Sequence, residues 1–101
     1  MEPNLILHVA THADWERWSG EDDYVPAAFA TEGFIHCCNA AQLAGVLQRY
    51  YAGRTDLYLL RVDPAKLTAP LKYEVATAGE QFPHIYGPLN KDAVAEVERL
   101  P

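Results

Sequence analysis

Cysteine is scarce in this chain. The only two, Cys37 and Cys38, are adjacent, and on a strand their side chains point to opposite faces, which disfavours a mutual disulfide and fits a reducing, cytosolic setting. Positive charge is also scarce: 8 Lys and Arg stand against 14 Asp and Glu, for a formal charge of −6. That balance excludes a surface built for duplex nucleic acid, which needs basic clusters to displace counterions. Neither a basic leader nor a long apolar run follows Met1-Glu2-Pro3-Asn4, so neither a signal peptide nor a membrane span is expected, and the default compartment is the cytoplasm. Phosphate-cradling glycine motifs, a Ser-His-Asp signature, internal repeats and low-complexity tracts are all lacking.

What is there is an ordinary globular composition, half apolar and 22% charged over 101 residues, which suits one domain spanning residues 1–101 with a radius of gyration of about 13 Å. The acids are unevenly placed. Glu2, Asp14, Glu16, Glu21, Asp22, Asp23 and Glu32 face only Arg17 up to Gly33, whereas Arg49, Arg54, Arg61, Lys66 and Lys72 outnumber Asp56 and Asp63 in the middle. An anionic small molecule therefore stays admissible.

Alternation and capping signals order the chain. Asn4 to Ala10 reads as a strand, Thr11 caps a short helix ending near Gly20, and Pro26 opens a brief helical segment. Gly33 to Cys38 reads as the next strand. Asn39 caps a helix to Ala52 whose Leu43, Val46, Leu47, Tyr50 and Tyr51 form an apolar stripe. Asp56 to Val62 is expected as the central strand, Pro64 to Leu67 as one helical turn, and Leu71 to Ala76 as an alternating strand. Thr77 to Gln81 reads as a polar loop. Pro83 and Pro88 confine the strand at Phe82 to a few residues or to an edge, and Asn90 is expected to cap a terminal helix, Lys91 to Arg99, with Ala93, Val94, Val97 and Leu100 buried. The expected architecture is α+β: a single small domain with a mixed split sheet of about five strands and three or four helices.

The functional signal lies in three histidines on apolar strands. His8, His36 and His84 each place an imidazole where a core does not tolerate an unpaired polar group. Each alone has a plain structural reading as a hydrogen-bonded residue; together, if their strands are neighbours, they can converge with Tyr24, Glu74 or Tyr86 on one cleft, offering groups that change charge near neutral pH. His12, in a first helical turn, reads as solvent-facing. A metal reading would combine the histidines with Glu74, but no ligand pair has helical or CxxC spacing. Cys37 and Cys38 read as packing residues rather than nucleophiles.

His8, Trp15, Tyr24, the run Glu32-Gly33-Phe34-Ile35-His36-Cys37, Gln42, Tyr50-Tyr51, Asp56-Leu57 and Phe82-Pro83-His84-Ile85-Tyr86-Gly87-Pro88-Leu89 resemble the small bacterial family of unknown function DUF952 along nearly the whole chain. That family is similar in fold to the ADP-ribosyltransferases, and here more to the RNA 2'-phosphotransferase branch than to the toxins. The resemblance implies an ADP-ribosyltransferase-like split sheet, NAD as the candidate cofactor, and a transferase or 2'-phosphotransferase acting at ribose. It implies catalytic roles for His8 on ribose hydroxyls, for His36 on the reacting ribose and for His84, which forms the opposite wall with Tyr86, itself a cofactor-binding candidate. Tyr24 or Phe34 would pack on the nicotinamide. The glutamate of many transferases has no assured match, Glu74 being the candidate, so a non-catalytic module binding a nucleotide or other small molecule is the alternative. A metal-dependent enzyme ranks third. The implied partner is a nucleotide-like small molecule, not duplex nucleic acid or a membrane.

Overall fold

The computed structural model describes residues 4–76 and 79–101. Met1-Glu2-Pro3 and, within the expected polar loop, Thr77 and Ala78 lie outside the described residues. The chain is organised around β4, Leu57–Val62, which is flanked by β1, Ile6–Thr11, and by the last strand, β8, Val94–Arg99. Both partners run antiparallel to it. The apolar alternation of β4 serves two cores at once: Leu60 and Val62 pack on one face with Ile6, Ala10, Tyr24, Ile35 and Ile85. Leu57 and Leu59 pack on the other with Leu7, Val9, Cys38 and Phe82. Burial of both faces is what a continuous Leu/Val run predicts for a central strand.

Thr11 caps α1, His12–Arg17, by accepting from the Asp14 amide at 3.1 Å. The short strand β2, Asp23–Tyr24, leads to α2, Phe29–Glu32. α2 ends on Gly33 in the left-handed conformation (φ 81°), which glycine adopts without the penalty of a Cβ. Then β3, Ile35–His36, enters a second antiparallel sheet. Asn39 caps the next helical segment through a capping box with Gln42, and a 3-10 turn passes into α3, Leu43–Tyr50. α3 packs Leu43, Val46 and Leu47 against the second core.

The second sheet runs β3-β6-β5, with β5 at Leu71–Val75 and β6 at Gln81–Ile85. β6 is therefore central, not an edge, despite Pro83. The Pro83 carbonyl accepts from the Cys37 amide at 3.0 Å, so the proline nitrogen also faces β3. The β3 ladder covers only Ile35 and His36, so no donor is demanded of Pro83 there. A two-stranded pair, β2 with β7 (Leu89–Asn90), completes the fold.

Two expectations are corrected. The strands are split between sheets as expected, but the pairs described are all antiparallel rather than mixed, and eight described strands in three small sheets stand in place of about five. The terminal helix is replaced by a 3-10 turn, Lys91–Ala93, followed by β8. Of its expected buried stripe only Ala93 is buried, and Val97 is 40% exposed. Without β8 the second edge of β4 would be left unpaired, a tertiary demand that outweighs weak helix propensity. Asn90 makes no cap; its side chain accepts from the Thr68 amide and donates to the Lys66 carbonyl. The result is an α+β domain with a radius of gyration of 12.7 Å.

Candidate functional site

The register of β3 against β6 sets His36 directly opposite His84. Their rings meet edge to face, centroids 5.3 Å apart. Phe34 stacks on His84 at 4.1 Å and lies 5.3 Å from the Tyr86 ring. β5 brings Lys72 opposite His84 on the other side, with Glu74 two residues on and so on the same face. Glu74 Oε1 accepts from His84 Nδ1 at 2.9 Å and also from the Tyr86 hydroxyl. Those bonds, Tyr86 first and His84 second, hold the Glu74 carboxyl below its usual range. A carboxylate only accepts, so Nδ1 of His84 carries the proton. Its other nitrogen, Nε2, is buried and has no hydrogen-bond partner among the described residues.

His84 lines a cleft of about 450 Å³ between the first sheet, the second sheet and α3. Leu7, Val9, Val46 and Phe82 give it apolar walls, Tyr51 adds an aromatic one, and His36 with Glu32 supplies polar groups. His36 Nε2 lies 3.5 Å from Glu32 Oε1, and both side chains are about half exposed. Among the described residues no Lys or Arg lines the cleft. Cys37 and Cys38 line it too, but burial pushes the Cys38 thiol up to about 11 and the Cys37 thiol higher still. Both stay protonated and weakly nucleophilic at neutral pH.

His8 goes elsewhere. Leu7 and Val9 face the cleft, so the strand's alternation turns His8 to the opposite face of β1. There its Nδ1 donates to the His36 carbonyl at 2.6 Å, and its Nε2 accepts from the Tyr24 hydroxyl at 2.9 Å. The ring is 5% exposed and Tyr24 is fully buried. Burial, the largest influence, lowers the His8 pKa to about 4, and burial raises that of Tyr24, so the pair is neutral. His12, expected in solvent, is half-buried and bonds the Tyr58 hydroxyl. Thus His36, His84, Phe34, Tyr86 and Glu74 come together, whereas His8 and Tyr24 touch this site only through the His36 backbone. The cleft-lining Val46 was legible only in a helix stripe; Tyr51, in the same stripe, and Glu32, before Gly33, also stood among the residues of the family resemblance, but none of the three was singled out as a site residue. Among the described residues no three His, Cys, Asp or Glu side chains gather to hold a metal ion. No helix among them is long and apolar enough to cross a membrane.

A family model described as a protein of unknown function, DUF952, matches residues 9–97. The crystal structure of protein CC0527 from Caulobacter crescentus, from a structural genomics consortium, is similar at a TM-score of 0.87 and 28% identity, covering 96% of this chain and 86% of that one. The solution NMR structure of CC0527 is similar at a TM-score of 0.82 and 28% identity, over 96% of this chain and 84% of that one. No curated protein matches the chain.

Proposed function

The chain belongs to the DUF952 family, whose description names no activity, and from the site we propose that the cleft binds a small hydroxylated ligand of nucleoside size on which His84, held by Glu74, acts as general base. One observation carries this reading: His84 Nε2 is buried and, among the described residues, unpartnered, while Nδ1 donates to Glu74. A buried polar atom without a partner costs about 1–3 kcal/mol, which a ligand hydroxyl donating to Nε2 would recover once the side chains that cover this nitrogen move aside to admit it. A carboxylate that fixes the tautomer and orientation of an imidazole is the arrangement that makes histidine an effective base. His36 and Glu32 offer further contacts for hydroxyl groups, and the apolar walls suit a planar ring.

The ADP-ribosyltransferase likeness, with NAD or ADP-ribose bound and chemistry at ribose, stays within this proposal, as does a cytoplasmic location. It is supported by the split antiparallel sheets and by the hydrogen bond between His8 and His36. In it, His8 is a positioning residue that holds the His36 backbone, Phe34 orients His84 by stacking, and the ribose lies against His36 and His84. A pyrophosphate would lie outside the cleft, since no cation lines it. The protonated thiols of Cys37 and Cys38 favour the second reading, a module that binds without turnover.

Thermal-shift titration with nicotinamide riboside, ADP-ribose, NAD and a 2'-phosphorylated oligonucleotide tests both. Ligand at about 100 times its Kd adds about 2.7 kcal/mol to the folded state. We expect the riboside to stabilise the protein and His84→Ala to abolish the shift. No shift with any of them at millimolar concentration contradicts the nucleoside and nucleotide readings alike.

A further inference from the structure

Two outer edges of the sheets differ in how they are protected. β8 carries Glu96, Glu98 and Arg99 along its length, the charges that keep an edge from pairing with another chain. β5, the outer strand of β3-β6-β5, instead exposes Tyr73 (55%) and Val75 (66%). The hydrogen bonds fix which backbone groups of β5 point outward. Tyr86 donates to the Pro70 carbonyl and Ala76 to the Glu80 carbonyl, so by alternation Lys72 and Glu74 bond across to β6. Leu71, Tyr73 and Val75 turn their N–H and C=O groups to the outer edge, with which no strand among the described residues pairs.

We propose that β5 pairs with β5 of a second copy of this chain, antiparallel about a two-fold axis through Tyr73. In that register Tyr73 exchanges both backbone bonds with Tyr73 of the second copy, and Leu71 pairs with Val75, so every outward group on the strand is satisfied. The same register puts Lys72 opposite Glu74 of the second copy in a non-hydrogen-bonded pair, where side chains stand closest. Charge selects this alignment. A slip of two residues one way sets Lys72 against Lys72, and the other way sets Glu74 against Glu74.

Pairing joins the two β3-β6-β5 sheets into one and brings Lys72 of each copy beside the Glu74 that orients His84 of the other. The proposal does not rest on the reading of the cleft. Small interfaces of this kind associate weakly, so the test is sedimentation equilibrium on the full chain up to about 1 mM protein. Wild type is expected to move from one chain mass toward two. Tyr73→Pro removes only an outward N–H, which an edge strand tolerates, and is expected to stay monomeric with an unchanged circular dichroism spectrum. Lys72→Glu and Glu74→Lys are each expected to be monomeric alone and to form a dimer when mixed in equal amounts. Wild type that stays monomeric throughout, charge variants that self-associate like wild type, or a mixture that stays monomeric would each overturn the proposal. Wild type that is monomeric yet binds an unrelated protein's strand at β5 would also overturn it, in favour of that partner.

Discussion

His8 shows how a single polar residue can shape a site it does not enter. Its two nitrogens are used internally, one on the His36 carbonyl and one on the Tyr24 hydroxyl, and burial lowers its pKa to about 4. The unfolded ring, with a pKa near 6.5, takes up a proton that the folded ring refuses until about pH 4. The stability held above pH 6.5 is therefore lost as pH falls through that window, by about 3 kcal/mol. Urea denaturation at intervals from pH 8 to pH 4 should show this loss in the wild type and a flatter profile in His8→Gln. The three strand histidines were conspicuous in the sequence because each interrupts an apolar run. Their division between two faces follows from Leu7 and Val9 lining the cleft, and the part played by Glu74 follows from the β5–β6 register. Register is a property of paired strands, and neither strand encodes it alone.

Among the elements, those with strong local signals formed as expected. The Asn39 and Gln42 capping box is reciprocal, each side chain bonding the other's backbone amide at 2.9–3.0 Å. Asn39→Ala should cost about 1 kcal/mol in chemical denaturation without changing the fold. β8 was not legible. Val94, Val97 and Leu100 repeat at helical spacing, yet the same segment also carries β-branched residues and acids that suit an edge strand. Arg61 of β4 meets Glu98 at 2.7 Å and Glu96 at 3.5 Å across that pair. What decides between helix and strand is the vacant edge of β4, more than thirty residues earlier in the chain. Pro83 misled for a similar reason: its cost depends on whether a partner needs its missing donor.

At the scale of the molecule, the fold is a β1-β4-β8 sheet with a core on each face, and the cleft opens beside the second core. The α+β class and the central place of β4 followed from composition and alternation; three separate antiparallel sheets did not, since sheet partition depends on long-range pairing. Leu60, fully buried in the first core, should cost about 2–5 kcal/mol as Leu60→Ala, read by thermal or urea unfolding. Because it faces away from the cleft, the folded variant should keep its ligand affinity at low temperature.

The central claim is that His84 Nε2, buried and unpaired among the described residues, becomes the acceptor for a ligand hydroxyl when the cleft admits one. The direct test is the imidazole nitrogen spectrum of His84 at pH 8, recorded by long-range 1H–15N NMR with and without saturating nicotinamide riboside. The expected result is a proton on Nδ1 in the free protein and a shift of the Nε2 resonance on binding, both lost in Glu74→Gln. A proton on Nε2 in the free protein, or an Nε2 resonance that does not move when the riboside is bound, would contradict it.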